Sequence, residues 1–74
     1  MEKFNGNKLK ELRDKNGWSL RECAARLVLS GYEKTTYQTV ENWEQGTYQP
    51  GGPAVAGLAK LFNVAMEELF DAHK

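Results

Sequence analysis

Gln38, Glu41, Asn42 and Gln45 recur at spacings of three, one and three within TTYQTVENWEQG, residues 35–46. On a helix turning about 100° per residue they fall on one side, and Val40 and Trp43 fall on the other. Tyr37, Thr39 and Glu44 flank the boundary. The chemistry open to that outer side is planar hydrogen bonding. A carboxamide donates and accepts in one plane, which matches the edge of a nucleic-acid base, adenine in particular. A solvated surface helix presents polar residues too, so the types alone leave both readings open. A helix this short and polar is not stable by itself, so the Val40–Trp43 side must be held by the rest of the chain.

Other chemistries find little support. His73 is the single histidine and lies next to the carboxyl end, where a solvated role is expected. No Ser-His-Asp set can be built around it. Cys23 lies on an apolar helix face and is expected to pack; as the single cysteine it excludes an internal disulfide. PGGPAVAG lacks the Lys-Ser/Thr of a phosphate loop and reads as a turn plus a helix start. No His, Cys and carboxylate cluster has metal-ligand spacing. The expectation is therefore a non-enzyme with no metal and no cofactor.

The elements that must position the polar side are short helices. Residues 7–16 read as the first, with Asn7 as cap, Leu9 and Leu12 inward and Gly17 as the stop. SLRE opens the second as a capping box between Ser19 and Glu22, with Trp18 placed to staple against Cys23. Leu20, Cys23, Ala24 and Leu27 then form one face, and the helix should end near Val28. LVLSGY has a short extended segment as its alternative. The third helix is the opening stretch, capped by Thr35 with Gln38 or by the competing Thr36, and ended by Gly46. TYQPGG is a loop. A fourth helix covers about residues 52–62, with Pro53 tolerated in its first turn and Val55, Leu58, Ala59 and Phe62 inward. A fifth covers about 66–72, with Met66, Leu69 and Phe70 inward. The expected architecture is an all-α bundle of about five short helices. A chain of 74 residues, 41% hydrophobic, has room for one small core, so a single domain over 1–74 is expected.

Helix two, a turn and a polar-faced helix held by an apolar pair follow helix-turn-helix logic. The chain resembles the lambda repressor/Cro-like, or Xre, family. LKELRDKNGWSLRECAARL looks like that family's first two helices, and TVENWEQG like its third helix with the closing Glu-x-Gly. Pro50 followed by VAGLAKLFNVAMEELF is similar to the family's later helices. The match covers roughly residues 8–70, and it is the order and spacing of the pieces that is specific. The resemblance implies a lambda repressor-like fold, with Ala24, Val40 and Trp43 in the core, Glu44 bracing it and helix three in the major groove. Carried over by position, Thr36, Tyr37, Gln38, Thr39 and Asn42 face the bases, and Gln45 and Thr47 lie by phosphates. Ser19, at the start of helix two, and Lys34, in the following turn, are the further phosphate candidates. Two departures stand out. Leu20 takes a place where the family often has Gln, and the segment between Leu29 and Val40 is about six residues longer than the family's tight turn. That longer loop could itself touch DNA through Lys34 and Tyr32.

The resemblance implies a sequence-specific transcriptional regulator acting on double-stranded DNA, as a weak homodimer on a palindromic operator. The surface expected to join two copies includes Met66, Leu69 and Phe70, or the loop before them. A second reading, a protein-interaction module of antitoxin or adaptor kind, draws on the charge. Ten basic residues balance ten acidic ones, and no Lys or Arg lies between 35 and 59. Nucleic-acid binders usually show a basic excess. The excess here is confined to residues 1–18, with five basic against three acidic residues. No membrane-spanning run and no secretory signal pattern are present, and the cytoplasm is the expected compartment.

Overall fold

The computed structural model describes residues 3–31 and 35–71. It contains α1 (Gly6–Lys15), α2 (Leu20–Leu29), α3 (Tyr37–Gln45), α4 (Gly52–Phe62) and a 3-10 turn (Met66–Leu69). The all-α expectation holds. The fifth helix contracts to that four-residue turn, and among the described residues the sole β feature is an antiparallel bridge between Phe4 and Phe70.

Local chemistry sets the boundaries. Asn5, not Asn7, caps α1: Asn5 has extended backbone angles and its side chain accepts from the Lys8 N–H at 3.0 Å. Asn7 is already inside the helix. Ser19 caps α2 by accepting from the Glu22 N–H at 3.1 Å. The Glu22 carboxylate turns the other way, to Arg26 at 3.0 Å, so half of the expected capping box is replaced by an i,i+4 ion pair. α2 runs one residue past Val28, to Leu29. At α3 the competing cap prevails, with Thr36 accepting from the Thr39 N–H at 3.3 Å while Thr35 is buried. Gly46 ends α3 with φ +80°, a left-handed conformation that costs glycine nothing. Pro53 sits in the first turn of α4, as expected.

The core gathers Leu9 and Leu12 from α1, Cys23, Ala24 and Leu27 from α2, Val40 and Trp43 from α3, and Ala54, Val55, Leu58 and Ala59 from α4, with Leu69 and Phe4 closing it. Each fully buried leucine contributes about 1.5–3 kcal/mol, a large share of the stability of so small a fold. Three expected core roles change. Met66 is exposed, because a four-residue 3-10 turn has one inward position and Leu69 fills it. Phe62 is half-buried and stacks on Trp18 with centroids 5.3 Å apart, so the ring partner of Trp18 comes from α4. Phe70 is half-buried against Phe4, edge to face at 6.1 Å. α3 is packed by both α1 and α2, so two of its neighbours hold the helix that carries the polar side.

Candidate nucleic-acid interface

Three devices hold α3. Val40 is fully buried and Trp43 nearly so, as their spacing predicts. Glu44 receives a two-pronged grip from Arg13, with Nε at 2.6 Å and Nη2 at 3.1 Å from its two carboxylate oxygens. Arg13 Nη1 also donates to the Trp18 carbonyl at 2.8 Å, so one guanidinium ties α1, the α1–α2 loop and α3 together. Hydrogen bonding to Glu44 raises the Arg13 pKa above its usual value against the opposing cost of burial. Glu44 therefore braces the fold, as the resemblance implied. The third device is Gly6, at the start of α1. A methyl group there would fall on the Trp43 and Glu44 carbonyl oxygens, so the end of α3 lies directly on the α1 backbone.

The outward side is then fixed. Gln38 and Gln45 are exposed, and Glu41 and Asn42 are half-buried. The four form a chain along the helix. Gln38 Nε2 donates to Glu41 Oε1 at 3.2 Å and lies 3.5 Å from Asn42 Oδ1, and Gln45 Nε2 lies 3.5 Å from Glu41 Oε2. Contacts at 3.5 Å are weak, so these amides can exchange neighbours for a base edge at small cost. The hydroxyls of Thr36 and Thr39 meet at 3.2 Å at the helix start. The Tyr37 ring is covered by the Arg21 guanidinium, 4.3 Å from its centroid.

The first two turns of α3 and its cap thus bring together Thr36, Tyr37, Gln38, Thr39 and Asn42. Of the phosphate candidates, Ser19 is engaged as the α2 cap and exposed. Gln45 lines an open cleft with Asn7, Lys10, Leu20 and Glu41. Thr47 is exposed just beyond α3, with its N–H on the Asn42 carbonyl at 3.0 Å. Lys34 and Tyr32 lie outside the described residues. Two arginines change standing. Arg13 counted toward the basic amino-terminal end but is neutralised by Glu44. Arg21 drew no attention in sequence, though an arginine beside a helix start, where the dipole favours acids, was the available signal. Among the described residues, no His, Cys, Asp and Glu group is placed to hold a metal, and no helix is long and apolar enough to cross a membrane.

A family model for the helix-turn-helix matches residues 9–69. The chain is also similar to the HTH-type transcriptional regulator AnsR of Bacillus subtilis (strain 168), 39% identical over 71 residues that make up 96% of this chain and 56% of that protein. The chain therefore spans little more than half the length of that relative. With the match running from α1 to the last turn, the chain belongs to the lambda repressor/Cro-like (Xre) helix-turn-helix family of DNA-binding domains.

Proposed function

We propose that this chain is the DNA-reading part of a transcriptional regulator, placing α3 in the major groove. The observation that carries the reading is the amide-lined outer side of α3 on a helix fixed from behind by Val40, Trp43 and the Arg13–Glu44 pair. Gln38 and Asn42 suit adenine through paired donation to N7 and acceptance from N6. Thr36, Tyr37 and Thr39 complete the base-facing set. Ser19, Gln45, Thr47 and Lys34 are the phosphate-facing set, which fixes register without reading sequence. One such helix covers few base pairs, so two copies on a palindromic site, with half-sites about 34 Å apart, give useful specificity. The cytoplasm is the compartment in which such a regulator meets its DNA.

The charge balance favours one competing reading, a protein-interaction module on the same fold. Selection of duplexes from a random pool, followed by gel shifts at low and moderate salt, separates the two. A selected sequence that outcompetes random duplex supports the DNA-reading role. Equal retention of all sequences, or none, supports the interaction module.

A further inference from the structure

Arg21 occupies the second position of α2, where the helix dipole opposes a cation. Nothing in the described fold compensates it with opposite charge. Among the described residues no carboxylate pairs with Arg21, whereas Arg26 on the same helix is paired with Glu22 and also covers Trp18 at 4.4 Å. What holds Arg21 is the Tyr37 ring, across the turn between α2 and α3. A cation–π contact at an exposed site stabilises a fold only modestly. Its larger effect is to fix where the charge sits, at the first residue of α3 and next to Gln38.

The charges around α3 make that position stand out. α3 carries Glu41 and Glu44 and no cation. Of the described cations that reach it, Arg13 is cancelled by Glu44, and Lys10 shares the cleft with Glu41 and Gln45. Arg21 alone of these stands at the end of α3 where the proposed base readers begin. A guanidinium is planar, permanently charged and forked, which suits two oxygens of one phosphate.

We propose that Arg21, held on the Tyr37 ring, grips the DNA backbone at the edge of the groove that α3 enters. Tyr37 is the positioning residue that sets its place. The proposal rests on the DNA-reading role above.

The test is fluorescence anisotropy of the full chain on its selected duplex across a series of potassium chloride concentrations. Arg21→Gln is expected to flatten the log–log salt slope by about 0.9 per protomer, the value for one phosphate contact. It should weaken all sequences alike, with melting temperature unchanged. Arg21→Lys keeps the slope. Tyr37→Phe retains the ring and keeps the slope too. Tyr37→Leu flattens the salt slope in the parent but flattens it no further in the Arg21→Gln background, the signature of two residues acting as one on the phosphate contact. A parental slope in Arg21→Gln overturns the proposal, and so does a changed base preference, which would make Arg21 a base reader. A parental slope in Tyr37→Leu overturns the positioning role. A parent chain that binds no duplex removes the DNA-reading role itself, before any variant is compared.

Discussion

Gln38 is the side chain on which base reading is most directly testable. It is exposed, and its partners Glu41 and Asn42 lie on its own helix, so removing it disturbs little of the fold. Gln38→Ala should melt near the parent, lose about 1–3 kcal/mol of binding and relax preference at one base pair. Trp43→Ala is the control from the opposite side of α3, expected to cost about 3–5 kcal/mol of folding stability. Unchanged preference in Gln38→Ala would remove this side from the reading surface. Cys23 offers a different single-residue test. Burial, with a smaller contribution from Glu44 and against that of Arg13, pushes its thiol from 9.0 up to about 11. Below pH 9 both folded and unfolded chains keep the proton, and the thiol adds no pH dependence. Between about pH 9 and 11 the unfolded chain releases it first, so stability falls as pH rises, by at most about 1.4 kcal/mol per pH unit. Urea melts across that window should show the extra slope in the parent and not in Cys23→Ala.

Between elements, the junction of α1 with α3 decides how α3 is presented. Gly6 allows the two backbones to touch, and the added methyl of Gly6→Ala meets carbonyl oxygens that no side-chain rotation can move. Overpacking of this kind costs about 1–3 kcal/mol or more. The expected result is a lower melting temperature together with weaker DNA binding, because α3 must shift to relieve the clash. At the same junction the Arg13 and Glu44 side chains are 11% and 7% exposed, too enclosed for water to replace either partner. Glu44→Ala leaves the enclosed guanidinium with the exposed Asp14 carboxylate, 3.5 Å from Nη1, as its remaining counter-charge, and should cost at most about 3–5 kcal/mol in thermal denaturation. Replacing both with methionine should cost less than either single loss, since no charge is then stranded. A double replacement worse than both singles would mean that the pair's main contribution lies in the bond to the Trp18 carbonyl.

At the scale of the whole molecule, charge and exposed apolar surface govern assembly. Leu69 is buried and Phe70 packs on Phe4, so of the three apolar residues expected to join two copies, Met66 remains exposed. With one of the three exposed, this particular surface favours pairing on DNA over pairing in solution. Sedimentation should show a monomer in the absence of DNA and two copies on a palindromic duplex. A stable dimer without DNA would point to a larger interface. With α3 and its following loop free of Lys and Arg, the salt dependence of binding should be shallow, with a log–log slope of about −2 to −4 per protomer. A slope steeper than about −7 would place the basic surface elsewhere.

The sequence by itself determined the four α-helices, the polar and apolar sides of α3, and the family. Apolar spacing, cap residues and glycines act within a few positions of one another, and such short-range chemistry reads directly from the chain. Val40, Trp43, Leu27 and Leu58 followed from spacing alone. What the tertiary structure decided involves residues far apart in sequence. Arg13 reads as one of several amino-terminal cations until its partner 31 residues away comes within 2.6 Å. Phe4 drew no attention because its contact is Phe70, at the other end of the chain, where the Asn5 and Asp71 N–H groups bond to Leu69 and Lys3 carbonyls. Gly6 lay outside the expected first helix, and its role shows only where the α3 backbone lies on it. Met66 looked inward on an α-helical wheel, and the tighter 3-10 turn rotated it out. Arg21 and Tyr37 became a pair only when α2 and α3 packed, since periodicity ranks the residues of one helix and carries no information about which neighbouring helix each one meets.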